Sequence, residues 1–317
     1  MFHGSCPVVT YRGLSLRWTH DGTRAVFASR LLNGYKFRSE ISETHMKDQY
    51  LVVGNPIAHS KSPIIHAEFA KQTHQNLEYD RELIALDGFV EAVDALRRRR
   101  VKGINVTLPF KLEALDYILT QGGTCSARAK IAGAVNTIKF LEEGKCFGDN
   151  TDGAGLVRDL TENLHWDIRD KHILILGAGG GVQGILLPLL EQKPKRIVIA
   201  NRTVEKAEKL AKQFQQFGML TASSFEALKN QHFDLILNGT AASLQGELPP
   251  LPKNIFSENA ACYDLAYSDK PTVFLQWAER EGCKNFRDGL GMLVEQAAEA
   301  FYIWRGVRPE TKSVIKK

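Results

Sequence analysis

A buried-type apolar run, Lys171-His-Ile-Leu-Ile-Leu176, passes directly into Gly177-Ala-Gly-Gly-Gly181, and this junction constrains the fold more than any other stretch of the chain. Val182 to Glu191 reads as a helix and Arg196-Ile-Val-Ile-Ala200 as a second buried strand, so the segment is a βαβ unit. Strands in such a unit run parallel and are covered by helices on both faces, which is why they are apolar along their whole length. Phe233 to Asn238 and Ala261 to Leu265 extend the sheet, and a last long helix, from about Met292 to Gly306, has the spacing to pack back on what precedes the unit.

Upstream the chain alternates as well. Short strands at Tyr50 to Val53, Gly103 to Val106 and Val135 to Phe140 separate helical segments at Ile64 to Gln72 and Gly88 to Arg98, and Glu142-Glu-Gly-Lys145 reads as a hairpin turn. The expected fold class is α/β in two domains: an N-terminal α/β domain over 46–151, completed by C-terminal helices in 290–317, and a Rossmann-type domain with a parallel sheet over 152–289. Residues 1–45 carry arginines and serines, few acids and weak periodicity. They lack the amphipathic or apolar core of a targeting peptide, and the expectation is a non-native or disordered extension ahead of Met46.

Composition excludes several classes of function. A balance of 41 basic against 36 acidic residues is too even for a nucleic-acid binder. The run Arg97 to Arg100 follows the amphipathic stretch Phe89 to Leu96 and reads as the solvated end of a helix. No uninterrupted apolar run approaches the ~18 residues of a membrane span. The five cysteines, Cys6, Cys125, Cys146, Cys262 and Cys283, are scattered without metal-ligand spacing, which points to a reduced, cytoplasmic setting and no metal site.

Two groups of residues carry chemistry. The backbone of Gly177, Ala178, Gly179, Gly180 and Gly181 can turn tightly beside a pyrophosphate whose charge is favoured at a helix N-terminus, although a glycine turn without a ligand has the same appearance. At the end of the second strand, where an NAD site places a carboxylate, stands Asn201-Arg-Thr203. Arg202 is suited to fork onto a 2′-phosphate and Lys206 adds charge one turn on, so NADP is preferred over NAD unless Arg202 is an ordinary surface residue.

The second group precedes the glycine loop. Ser60 and Ser62 flank Lys61, and in an extended segment their hydroxyls point the same way, as a carboxylate ligand requires; alternatively Ser62-Pro63 is a helix N-cap pair. Thr107 and Lys111 follow a strand, where a lone lysine is otherwise simply solvated. Asp149 and Asp152 lie in Gly148-Asp-Asn-Thr-Asp-Gly153 and are candidates either for chemistry or for turn and capping roles.

Taken together, Gly54-Asn-Pro-Ile-Ala-His-Ser-Lys-Ser-Pro63, Gly103-x-Asn-Val-Thr-x-Pro-Phe-Lys111, Ala132-Gly-Ala-Val-Asn-Thr137, Gly148 to Gly153, the glycine loop, Asn201-Arg-Thr203 and Asp288-Gly-Leu-Gly-Met-Leu-Val-x-Gln296 resemble the shikimate dehydrogenase family. The resemblance runs from about Tyr50 to the C-terminus in unbroken order. It implies that the first domain binds shikimate or 3-dehydroshikimate and the second binds NADP, with a hydride passing reversibly between NADPH and the ring ketone. It further implies that Ser60 and Ser62 hold the substrate carboxylate, that Thr107, Lys111, Asn136, Asp152, Tyr267 and Gln296 surround the ring hydroxyls, and that Leu265 and Gly289 lie near the nicotinamide. Lys111 and Asp152 are expected to form the catalytic proton-transfer unit.

Lys206 stands where many relatives carry arginine, Gln121-Gly-Gly-Thr-Cys125 lengthens one link, and Ser126-Ala-Arg128 lacks the acid often found just before that arginine. Three rivals are a quinate/shikimate dehydrogenase paralogue with broader substrate or NAD use, a non-catalytic NADP-binding regulator, and a tRNA-dependent reductase of tetrapyrrole synthesis. The last needs a reactive cysteine and a tRNA-binding region, and neither is evident. The expected assembly is a monomer or homodimer with no nucleic-acid or membrane partner.

Overall fold

The structure is a computed structural model that describes residues 9–11, 14–18, 24–26, 46–240, 242 and 246–316. They fall into two units, Met1–His45 and Met46–Lys317. In the first, strands β1 (Val9–Tyr11), β2 (Leu14–Trp18) and β3 (Arg24–Val26) pair antiparallel in chain order. The expectation of an extension over residues 1–45 otherwise lies outside the described residues.

The second unit begins with β4 (Asp48–Gly54), α1 (Ser62–Gln72), β5 (Leu77–Leu83), α2 (Phe89–Arg98), β6 (Gly103–Val106), α3 (Lys111–Thr120), β7 (Thr124–Cys125), α4 (Ala127–Ala132), β8 (Thr137–Phe140) and β9 (Cys146–Asp149). These strands form one sheet in the order β5-β4-β6-β8-β9-β7. The β5-β4-β6 part is parallel, and β8 turns back antiparallel on both β6 and β9. The turn between β8 and β9 is the expected hairpin, closed by a short 3-10 segment at Glu142–Gly144. Every residue of β6 is buried, as a central strand covered on both faces must be.

After α5 (Asp152–Arg158) the chain builds the second sheet with β10 (His172–Leu176), α6 (Gly180–Glu191), β11 (Arg196–Ala200), α7 (Val204–Phe214), β12 (Leu220–Ser223), β13 (Phe233–Asn238), β14 (Phe256–Asp264), α8 (Val273–Arg280) and β15 (Asn285–Arg287). All pairs are parallel, in the order β12-β11-β10-β13-β14-β15. The chain starts at β10 and winds outward in both directions, so the strand order reverses there. A crevice at the C-terminal ends of the strands is the consequence of that reversal.

The chain ends with α9 (Leu290–Arg305) and α10 (Lys312–Ile315). Val294, Ala297, Phe301 and Trp304 recur at helical spacing on α9 and are buried with Tyr50, Ile65 and Phe69 of β4 and α1. Trp304 also donates to the Ile138 carbonyl at 3.0 Å. The last helix therefore returns to the first sheet, as its spacing suggested. It lies tightly on α5 because Gly155 has no side chain: a Cβ there would stand 2.6 Å from the Gln296 backbone nitrogen.

Two local readings change. Helix α1 starts two residues earlier than Ile64, with Lys61 as its cap and Ser62 and Pro63 inside the first turn, so Ser62 is not the N-cap. Helix α6 likewise begins at Gly180 within the glycine cluster rather than at Val182.

Candidate active site

Strand β6 delivers the chain to a loop at Thr107, and α3 opens on Lys111 as its first residue. The β8–β9 hairpin brings Asp149 alongside Asn136, and α5 opens on Asp152. These two helix starts face each other: Lys111 Nζ lies 2.5 Å from Asp152 Oδ2, with the two side chains 14% and 9% exposed. A pair this shielded from water interacts far more strongly than a surface ion pair, and each member depends on the other.

Asn136 holds the other carboxylate oxygen, donating from Nδ2 to Asp152 Oδ1 at 2.8 Å. Its Oδ1 accepts from the Thr151 backbone N–H at 2.8 Å and from the Thr137 hydroxyl at 2.9 Å. Gln296 of α9 joins through Oε1, which accepts from Thr151 Oγ1 at 3.3 Å and Asn136 Nδ2 at 3.4 Å. Four expected residues, Lys111, Asn136, Asp152 and Gln296, thus form one connected network.

Sequence reasoning missed the support beneath this network. Asn105 on β6 donates to Thr137 Oγ1 at 3.0 Å and to the Asn136 carbonyl at 3.2 Å, and accepts from the Tyr79 hydroxyl of β5 at 2.8 Å. Burial pushes the Tyr79 phenol well above its ordinary pKa, with the Ser62 hydroxyl acting in the opposite direction. Ser62 is buried, and its hydrogen bond with Tyr79 ties it to the same polar cluster. Asn105 and Thr137 sit inside motifs the sequence already displayed, whereas Tyr79 had no local signal. It reaches Asn105 only because β5 and β6 flank β4.

The remaining polar candidates, Ser60, Thr107 and Tyr267, have contacts of their own. Ser60 Oγ accepts from the Ser62 backbone N–H at 3.3 Å, so the turn, and not an extended strand, relates the two serines. That corrects the expected geometry of the pair. Thr107 packs its methyl against Gly54 at the end of β4. Tyr267 is half-buried, its phenol raised by burial, with Lys61 Nζ 5.8 Å from the ring centroid.

Asp149 takes the structural alternative. Its carboxylate receives Arg128 through Nε at 2.8 Å and Nη2 at 2.6 Å, and the Asn150 backbone N–H at 2.7 Å. Arg128 also reaches Glu299 at 3.0 Å, so the acid missing just before it in sequence is replaced by two from elsewhere in the fold.

At the strand-order reversal, Gly177 has φ +100° and donates to the Ala200 carbonyl at 2.8 Å, a backbone shape that a side chain would strain. Beyond Ala178, a Cβ added at Gly179, Gly180 or Gly181 would meet nothing within 4 Å. The loop is open exactly where α6 presents its first N–H groups, which is the room and the polarity a pyrophosphate needs.

Asn201 fixes the next turn by donating to the Thr203 carbonyl at 2.8 Å. Arg202 and Lys206 are exposed, and among the described residues neither is engaged in an ion pair. Leu265 lies beside Gly239 at the end of β13, and the Leu265 carbonyl abuts Gly289. These residues fit NADP: an open glycine loop for the diphosphate and two unpaired cations for a 2′-phosphate. Among the described residues no group of three or more potential ligands is placed to hold a metal ion.

Comparison with known proteins gives the following. The shikimate dehydrogenase substrate-binding domain matches residues 52–138, the shikimate/quinate 5-dehydrogenase family residues 159–245, and the shikimate 5′-dehydrogenase C-terminal domain residues 289–317. The chain is 52% identical over 270 residues to the NADP(+) shikimate dehydrogenase of Cellvibrio japonicus, covering 85% of this chain and 96% of the relative. It is 53% identical over 272 residues to that of Nitrosospira multiformis, with the same coverage. Among solved structures, an Ael1 enzyme from Pseudomonas putida superposes with TM-score 0.79 at 46% identity, covering 85% of this chain and 97% of the other. Shikimate 5-dehydrogenase from Thermus thermophilus, in complex with NADP(H) and shikimate, superposes with TM-score 0.74 at 30% identity and the same coverage.

Proposed function

The chain belongs to the shikimate dehydrogenase family, and from that premise we propose that it interconverts 3-dehydroshikimate and shikimate with NADP(H), using Lys111 and Asp152 as its proton-handling pair. The contact of Lys111 Nζ with Asp152 Oδ2 at 2.5 Å is the observation that carries the residue assignment. NADPH, when bound, supplies the hydride that reduces the ring carbonyl. The chain's own residues manage the charge and the proton.

As the carbonyl oxygen becomes an alkoxide, the Lys111 ammonium stabilises its charge and gives it a proton, a contribution of about 10²–10⁴ in rate. Asp152 holds that ammonium and accepts from a ring hydroxyl, so the substrate is oriented by the group that positions its acid. Asn136, Gln296, Thr107 and Tyr267 complete the hydroxyl recognition. Ser60 and Ser62, at the N-terminal end of α1, take the carboxylate, where the helix dipole adds to their hydrogen bonds. Gly177 to Gly181 hold the diphosphate of NADP, Asn201 to Lys206 its 2′-phosphate, and Leu265 with Gly289 border the nicotinamide.

In this reading residues 46–151 with 290–317 form the substrate-binding part and 152–289 the cofactor-binding part. A cytoplasmic monomer or homodimer without a nucleic-acid partner completes it. In support, charge is nearly balanced and the four described cysteines are unbridged. No helix among the described residues is long and apolar enough to cross a membrane.

The direct test is initial rates at 340 nm with shikimate and quinate, each crossed with NADP and NAD. Turnover is expected with shikimate and NADP, and weak or absent turnover in the other three combinations. Equal rates with quinate or NAD would favour the broader quinate/shikimate paralogue, and no turnover at all would leave an NADP-binding protein without catalysis.

A further inference from the structure

Lys61 stands between the two serines assigned to the substrate carboxylate, yet its ammonium is already engaged from the other sheet. Its Nζ lies 3.1 Å from Oδ1 of Asp269, in the loop that follows β14. The same nitrogen stands 5.8 Å from the ring centroid of Tyr267, two residues earlier in that loop. One loop of the cofactor-side sheet therefore holds the cation between a carboxylate and an aromatic face.

The turn that Lys61 belongs to is held from two sides. Arg81 of β5 donates to the Ala58 carbonyl and, at 3.4 Å, to that of Ser60. Within the turn, Ser60 N–H meets the Ile57 carbonyl at 3.0 Å, and Ser60 Oγ meets the Ser62 N–H at 3.3 Å. The substrate-side sheet secures one flank of the turn; on the other, the Tyr267 hydroxyl meets the Lys61 backbone and Asp269 takes the Lys61 side chain.

We propose that Asp269 is a positioning residue: through Lys61 it holds the Ser60-Lys61-Ser62 turn against the Tyr267 loop, so that both serine hydroxyls are set for the substrate carboxylate. The inference rests on the reading of Ser60 and Ser62 as carboxylate ligands. It also gives Lys61 a role other than the obvious one. A lysine flanked by carboxylate-binding serines is expected to bind that carboxylate itself, but its charge is spent on Asp269.

The geometry sets the size and character of the effect. Asp269 is 93% exposed and Lys61 41%, so the pair is open to screening by salt. Exposed pairs are worth little each, and a change of a few-fold is the scale to expect. Simple field effects run the opposite way, since removing an anion near an anionic substrate should tighten binding. The direction of change therefore discriminates between positioning and bulk electrostatics.

The test is KM and kcat for shikimate in the full chain, for the parent, Asp269→Ala and Asp269→Glu, at about 0.02 M and about 0.5 M salt, a range over which the screening length falls several-fold. Asp269→Ala is expected to raise KM about three- to fivefold at low salt with kcat within about twofold. Asp269→Glu should restore most of the difference, and the ratio of variant to parent KM should fall towards one at high salt. A KM that is unchanged or lowered in Asp269→Ala, or a ratio indifferent to salt, overturns the proposal. Ser60→Ala in the same assay separates the two readings. An unchanged KM there removes the carboxylate role of the serine, whereas a raised KM with parent-like Asp269→Ala removes only the role of Asp269.

Discussion

Asn136 turns its Oδ1 to the Thr151 backbone N–H at 2.8 Å, and that one bond decides what its other end presents. A buried N–H needs an acceptor, so the amide oxygen is fixed there and Nδ2 must face Asp152 Oδ1, 2.8 Å away. Both oxygens of Asp152 then meet donors, Asn136 on one side and Lys111 on the other. The Asp152 end of the Lys111–Asp152 pair is thus oriented, through Asn136, by the backbone of the residue just before it.

Asn136→Asp probes this effect. The new side chain still offers Thr151 its acceptor, but the donor to Asp152 becomes a second carboxylate. Loss of a hydrogen bond to a charged group is worth about 1.5–3 kcal/mol. Steady-state kinetics should show kcat/KM for shikimate lower by about 10- to 100-fold, and a parent-like value would remove Asn136 from the orienting role.

Lys111→Ala removes the proposed proton donor and its charge. A fall in kcat of at least about 10²-fold is expected, with KM for shikimate little changed. On the proposal that Lys111 and Asp152 act as a unit, adding Asp152→Asn to Lys111→Ala should cost little more than Lys111→Ala alone. Additive losses in that double variant would mean that the two work independently.

Arg202 is exposed and unpaired among the described residues, so it can be removed without disturbing the fold. In Arg202→Ala, kcat/KM with NADP should drop about 10- to 100-fold, the scale of a charge-assisted contact, while the value with NAD stays within about twofold. Equal losses with both cofactors would take the 2′-phosphate away from this residue.

His66 gives a stability prediction. Its ring stacks on Tyr79 at 4.0 Å and 7°, neither nitrogen has a hydrogen-bond partner of good geometry among the described residues, and burial holds its pKa down at about 3, the Asn105 side chain opposing. The unfolded chain takes up a proton below about pH 6.5, and the folded one does so only near 3. This contribution is therefore fully present above about pH 6.5 and lost as pH falls towards 3. At pH 4.5 the loss is about 3 kcal/mol. His66→Phe keeps the ring and discards the titration, so its denaturation midpoint should decline less than that of the parent between pH 7 and pH 4.5. Parallel declines would show that His66 is not buried in neutral form.

What was legible in the sequence follows from local physics. An apolar run followed by glycines reads as a strand entering a phosphate-type turn because strand burial and glycine stereochemistry each act within a few residues, and both held at Leu176 and Gly177. The absence of an acid at Asn201-Arg-Thr203 is equally local. The polar candidates stand out as motifs, yet residue type and spacing alone leave Asp149 and Asp152 equivalent, and only the family resemblance singles out Asp152.

The physical basis of that distinction lies in tertiary structure, which gives Asp149 to Arg128 and Asp152 to Lys111. Lys111 and Asp152 are 41 residues apart, and they meet because the β6-β8-β9 order brings two helix starts together. Lys61 and Asp269 are 208 residues apart, on loops of different sheets. Tyr79 reaches Asn105 only across an intervening strand. Residue type and spacing determine which elements form and which end of a strand bears polar groups. Which of those groups become partners depends on strand order and on the crossings at α5 and α9, because a hydrogen bond is set by distance in space and not along the chain.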